Sequence, residues 1–426
     1  MHRKIGLTDK SLFRSFFIGG FECSTQFRRR DRRRLDLLAS TGHDVFAKQD
    51  YERLQSVGIR AARDGVPWYS VDRGDGRYDW SRVVPMLRAA RETRTQVMWD
   101  LLHFGFPDGV DPFTPQFIER FRRFARAFAQ LLAGETDETP FVAPVNEISF
   151  MSWAGGEEGF FNPFAIKRGD DLKSQLVRAF LVGAAEVRAV LPKARIISPE
   201  PIIEIIASPK RPQDRLLAEN YRLSQFQAWD MIAGRQRPEL GGSEEALDII
   251  GVNYYIQNQW IHEGAVLVPS HPHHLPLRYM FREVWERYRR PLFVSETGIE
   301  AQTRPEWLRY VGRETRAAAR LGVEIHGLCW YPILNHPGWE DDRHCPNGLW
   351  DYADDAGNRP IYAPLAAELA RQQRFLDGRE PPEASELIAP DSDADMLPKE
   401  DLALLDIAAR DLDEATTKSR EREKNV

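Results

Sequence analysis

FVAPVNEISF (141–150) and PLFVSETG (291–298) are the two stretches from which the fold can be read. Each is an apolar, strand-forming run that turns polar at its end and delivers one carboxylate, Glu147 and Glu296. The two acids are 149 residues apart in the chain. That is too far for one loop and suits two strands of one large barrel. A carboxylate at the C-terminal end of a strand sits where parallel α/β folds keep their chemistry. Taken singly, an Asn-Glu or a Glu-Thr-Gly is more often an ordinary strand-end acid. It is the pair, with the companions below, that carries weight.

Working outward, apolar strand-like runs alternate with amphipathic helical runs. FFIGGFECS (16–24), GIRAARDGVPW (58–68) and TQVMWDLLHFGFP (95–107) read as the first three strands. FVAPVNEISF is the fourth, ARIISPEPII (194–203) the fifth and LDIIGVNYY (247–255) the sixth. PLFVSETG is the seventh and VEIHGLCWYPIL (323–334) the eighth. Helices are expected near 46–57, 83–93, 115–135, 171–191, 213–233, 277–289, 305–322 and 362–375, with apolar residues three and four apart. Eight such alternations predict a (β/α)8 TIM barrel. An open doubly wound sheet is the competing architecture, but no Gly-x-Gly-x-x-Gly follows the first strand.

The chain has 426 residues and 42% hydrophobic content, enough for one large domain over 1–378. From Arg379 the composition changes to Pro, Asp and Glu with few large apolar residues. The segment 379–426 therefore reads as an acidic, flexible tail with at most one weak helix near 399–413. It holds 14 acidic and 7 basic residues, so it carries the whole net charge of −6 and leaves the body nearly neutral. No dominant basic face is present, which argues against nucleic acid as a partner. No stretch is long and apolar enough to span a bilayer. The N-terminus is basic without an apolar signal core, and Cys23, Cys329 and Cys345 form neither a disulfide framework nor a metal motif. A cytoplasmic location is the expectation, with oligomeric state left open. Eleven tryptophans stand in the chain, several beside strand ends, which suits stacking on flat sugar rings as well as core packing.

Two carboxylates facing each other across a barrel mouth can cleave a glycosidic bond, one giving a proton and the other acting as nucleophile or base. The strand-end residues resemble the retaining β-glycosidases of glycoside hydrolase family 1 and its wider clan A, over about 16–375. GIRAARDGVPW is similar to the family's second strand, which makes Arg63 the holder of the nucleophile. DLLHFGFP resembles Leu-x-His-Trp-x-x-Pro, which puts His103 at a sugar hydroxyl. PVNEI matches the Asn-Glu of strand four, with Ile148 where the family usually has Pro. The resemblance implies that Asn146 binds the 2-hydroxyl and Glu147 is the acid/base. DIIGVNYY implies Asn253 facing the site and Tyr255 on the nucleophile, and PLFVSETG implies Glu296 as that nucleophile. Trp330 matches the floor of the sugar pocket.

Strands one and eight depart from the pattern. Gln26 is placed as the sugar-binding Gln, but RRRDRRR follows it where the family has Glu-Gly. LNHPGWEDD replaces Asp-Asn-Phe-Glu-Trp, leaving Trp339 and Glu340 near the right place in reversed order. Trp153 on the fourth loop is a candidate platform for the leaving group.

The resemblance implies a hydrolase for a small-molecule or oligosaccharide β-glycoside, working without cofactor or metal. A transglycosylase with the same carboxylates and a non-catalytic carbohydrate-binding barrel are the alternatives. RRRDRRR could grip an anionic sugar, though a solvated helix start is the favoured reading. His262, His271, His273 and His274, and the group His344, Cys345, Asp341 and Asp342, read as solvated loops rather than metal sites.

Overall fold

The computed structural model describes residues 11–379 and 399–410. Eight parallel strands close into a barrel: β1 (Phe17–Gly20), β2 (Ala61–Gly65), β3 (Gln96–Asp100), β4 (Phe141–Ala143), β5 (Arg195–Pro201), β6 (Ile249–Asn253), β7 (Leu292–Thr297) and β8 (Ile325–Trp330). Each pairs with its sequence neighbours, and β1 pairs with β8 to close the ring. This is the (β/α)8 barrel that the alternation predicts. Around it lie α1 (His43–Ser56), α2 (Val83–Thr93), α3 (Pro115–Glu135), α4 (Gly169–Val190), α5 (Gln227–Ile232), α6 (Leu277–Tyr288), α7 (Arg304–Arg320) and α8 (Ala363–Leu376).

The physics of each layer is visible in its residues. α3 starts with Pro115 in the first turn, where its missing N–H costs nothing. Its Phe117, Phe121, Phe124, Phe128 and Leu132 recur at helical spacing and are all buried. At roughly 2–3 kcal/mol per buried large apolar side chain, this one stripe pins the helix to the barrel. Inside the barrel, Ile18, Ala61, Met98, Phe141, Ile197, Ile249 and Phe293 form a separate apolar layer. Phe13 plugs its lower end, with ring centroids 5.4 Å from Phe141 and 4.9 Å from Phe293.

Two local features aim the site. β4 is only three residues long, not the ten of FVAPVNEISF. The chain turns left-handed at Glu147 (φ 45°, ψ 61°) and enters a short helix, Ile148–Met151. In β7 the register slips by one residue at Ser295, so that Val294 lies opposite Val252 but Glu296 lies opposite Asn253. Such a bulge redirects side chains, as bulges beside active sites do. Ser295 then points at Gly251, where a β-carbon would stand 2.5 Å from its Oγ.

Part of the acidic tail is ordered against the barrel. Residues 399–410 form a helix with Leu405 and Ala409 buried. Asp401 pairs with Arg309 of α7 at 2.6 Å, and Asp406 accepts from Ser270 N at 3.0 Å. The rest of the tail lies outside the described residues. Among the described residues, no helix is long and apolar enough to cross a membrane.

Candidate active site

Arg63 organises the mouth of the barrel. It stands on β2, is 1% exposed, and spends its guanidinium on four neighbours. Its Nη1 donates to Glu296 Oε1 at 2.6 Å and to the Ser295 carbonyl at 3.1 Å. Nη2 donates to Asp100 Oδ2 and to Asn146 Oδ1, both at 2.7 Å, and Nε reaches Asp100 Oδ1 at 3.2 Å. This planar fork could not be replaced by the point charge of a lysine. Burial opposes the charge of Arg63, but Asp100 and Glu296 outweigh it and hold the proton on more firmly than usual.

The bonds close into a ring. Asn146 Nδ2 lies 3.0 Å from His103 Nε2, and His103 Nδ1 lies 3.0 Å from Asp100 Oδ2. The amide must donate, so Nε2 is the acceptor and Nδ1 carries the hydrogen toward Asp100. Burial pushes the Asp100 carboxyl up, but Arg63 and His103 more than reverse this and set it below its usual range. Tyr331 stacks on His103 with the ring planes 5° apart.

Glu296 is held from its other side by Tyr255, whose hydroxyl donates to Oε2 at 2.9 Å. Glu147 is held differently. Its Oε1 accepts only a neutral donor, Asn253 Nδ2, at 2.8 Å. Burial, then the charge of Glu296, push its carboxyl well above the usual range. One acid is thus fixed by a cation and a phenol, and the other is biased toward keeping its proton. That division of environments is what an acid/base and a nucleophile require.

The structure brings Arg63, His103, Asn146, Glu147, Asn253, Tyr255 and Glu296 into one cluster. Asn146 is fully covered, and both ring nitrogens of His103 are engaged by protein. Trp330 is buried beside them, its indole N–H donating to the Asn347 carbonyl at 2.9 Å. Gln26 is 1% exposed, and its Oε1 has no donor in the protein. Trp339 packs on Phe104, whose ring neighbours His103. Trp153 packs between Phe150 and Phe160 on a π-helical turn, Ser152–Glu157. Glu340 is solvent-exposed, with the Arg30 N–H at 3.4 Å from it, and does not join the cluster. RRRDRRR is not a free basic grip. Arg28 is buried against Asp31 (2.6 Å) and Asp342 (2.8 Å), Arg33 also pairs with Asp342, and Arg34 pairs with Asp108.

Asp100, Tyr331 and Cys23 are participants that sequence reasoning missed. Asp100 could have been found, since it is an acid at the end of a buried strand, the same signal as Glu296. Cys23 Sγ, Asp100 and His103 Nδ1 lie within 4.8 Å of one another, which is close enough to ask about a metal. The atoms are already bonded to each other, Sγ to Nδ1 at 3.2 Å, and Arg63 sits on the carboxylate. The set fits a hydrogen-bonded floor better than a cation site. It is the only such group among the described residues, so the loop histidines and the His344–Cys345 segment build none.

No protein-family model matches the chain, and no curated protein does. Solved structures do. An enzyme named AHE from Alicyclobacillus herbarius superposes with TM-score 0.71 at 14% identity, covering 88% of this chain and all of that one. A family 1 β-glucosidase from Thermotoga maritima gives TM-score 0.67 at 14% identity, over 85% and 98% of the two chains. A Thermotoga maritima β-glucosidase bound to glucoimidazole gives 0.64 at 14% identity, over 79% and 87%. The chain therefore has the fold of the family 1 β-glucosidases.

Proposed function

We propose that the protein is a glycoside hydrolase that cleaves a terminal β-linked sugar with retention of configuration. The observation that carries this reading is the unequal housing of two buried carboxyl groups at one barrel mouth. Glu296, gripped by Arg63 and Tyr255, attacks the anomeric carbon. Glu147, biased toward its protonated form, gives its proton to the leaving oxygen. Once Glu296 is esterified its charge is gone, the proton affinity of Glu147 falls, and Glu147 can take a proton from the incoming water. Asn146, fully covered, holds Arg63 and His103 in place, while Gln26 and Trp330 face the sugar. The β-glucosidase of the same fold that was captured with glucoimidazole supports a small sugar as the ligand class. Residues 1–378 form the catalytic body, with 379–426 as an appendage.

Turnover of a panel of aryl β-glycosides, followed by NMR of the first-formed anomer, tests this. Cleavage with the β-anomer formed first is expected. The α-anomer formed first would mean inversion, and binding without cleavage of any member would mean a carbohydrate-binding barrel.

A further inference from the structure

We propose that Glu200, on β5, is a positioning residue for the acid/base turn: it anchors that turn through Ser149 and, as a second anion beside Glu147, holds the proton of that residue. The inference rests on the glycosidase reading for its activity readout but not for its physical one.

Glu147 occupies left-handed backbone, an unfavourable conformation for a residue with a β-carbon. Such strain survives only where the surroundings over-determine it. Strand five does so twice. The Glu147 N–H donates to the Pro199 carbonyl at 3.0 Å, and one residue later Glu200 Oε2 accepts the Ser149 N–H at 3.0 Å. Ser149 lies in the first turn of the short helix that Glu147 opens.

Glu200 is 0% exposed, and its Oε1 is buried without a partner. A carboxyl placed so expensively needs a reason, and hydrogen bonding alone would be served by a Gln. The charged groups that act on it are few. They are Glu147, on the turn that strand five anchors, and Lys173 of α4, whose Nζ donates to Gln227 of α5 at 2.7 Å. Lys173 in turn feels Asp170 and Arg237. Burial pushes the Glu200 carboxyl up to about 7. Its charge therefore develops as pH rises through neutrality. The anion of one residue then opposes ionisation of the other.

Glu200→Gln keeps an acceptor for Ser149 and removes the charge. For a glycoside with a poor leaving group, the alkaline limb of kcat/KM should move to lower pH. A shift of one unit there means roughly a tenfold loss on that limb. Activity at the acidic optimum should hold, and Glu200→Asp should return the limb toward its original place. An unmoved limb in Glu200→Gln, or a loss equal at every pH, would overturn the proposal. A second measurement needs no turnover. In protein labelled with 13C at the glutamate carboxyls, the Glu147 signal, assigned by its loss in Glu147→Gln, should titrate at lower pH in Glu200→Gln, or in Glu200→Leu should the Gln variant not fold, than in wild type. The Glu200 anion is what opposes ionisation of Glu147, so removing it must lower that midpoint. An unchanged midpoint would refute the coupling. A shifted midpoint in a protein that cleaves no glycoside would refute the glycosidase reading alone.

Discussion

Asn253 lies opposite Glu296 in the strand register, yet its side-chain amide donates to Glu147 at 2.8 Å. Its carbonyl oxygen accepts from Ser295 Oγ at 2.6 Å, which fixes the amide's orientation. One residue thus couples the two strands that carry the acids. The placement depends on the bulge in β7, since an unslipped register would put Ser295 where Glu296 stands.

The two acids should separate by chemistry. Glu296→Ala should abolish turnover, because no covalent intermediate can form. Glu147→Ala should spare the first step for good leaving groups and slow the second. Azide should then rescue Glu147→Ala as the β-glycosyl azide and Glu296→Ala as the α-product. The same anomer from both variants would refute the role assignment.

Tyr255→Phe removes one of the donors on Glu296 and nothing else of comparable size. A hydrogen bond to a charged group is worth about 1.5–3 kcal/mol, so kcat/KM should fall roughly 10- to 150-fold. Thermal stability should barely change, and a matching fall in Tm would mean that the phenol serves packing instead.

His43 predicts a pH dependence of stability. Its ring stacks on Phe21 at 3.6 Å and lies between Asp50 (2.9 Å) and Asp64 (2.8 Å), fully buried. Burial pushes its pKa down, but the two carboxylates outweigh that and raise it from 6.5 to about 9. A raised folded value means stability fully present below the unfolded pKa of ~6.5 and lost as pH climbs through about 9. The loss should approach roughly 3 kcal/mol. Urea midpoints from pH 6 to 10 should decline across that window, and His43→Gln should flatten the decline.

Gly20→Ala should be costly although the residue lies in an ordinary strand. A β-carbon there would stand 2.2 Å from the Tyr331 ring. Overpacking costs typically 1–3 kcal/mol. Because Tyr331 stacks on His103, activity should fall along with Tm. A variant with wild-type kcat would show that the ring can yield.

Truncation after Gly378 should leave kcat unchanged and lower Tm by a few degrees. The tail helix touches α7 and the Ser270 loop but no residue of the catalytic cluster. A large loss of kcat would place the tail in the site.

Much of this was legible in the chain because buried parallel strands and amphipathic helices write different periods. α2 and α3 match the expected ranges to the residue. The helix expected over 213–233 is instead broken into Arg215–Leu223 and Gln227–Ile232. Gln225, between them, turns its amide onto the backbone of Ile203, a tertiary bond that no local pattern announces. Ile148 and Phe150 continue the apolar run of strand four, whereas a left-handed Glu147 ends the strand early. The sequence pattern sets Glu340 near the sugar beside Trp339, but Asp342 pairs with Arg28 and Asp341 with Arg343, and Glu340 stays exposed. Glu200 was invisible since it faces strand four's turn rather than the open mouth.

The ring of Arg63, Asn146, His103 and Asp100 has a consequence for inheritance. Each member satisfies two others, so a change at one strands a buried donor or acceptor on its neighbours. Drift can reach this floor only through several simultaneous replacements. The loops of β1 and β8 are tied to each other, through Arg28 and Arg33 on Asp342, but not to this ring, and can change together without disturbing it. A lineage built this way would keep its charged floor while those loops wandered, and recognisable motifs would persist on strands two, three and four.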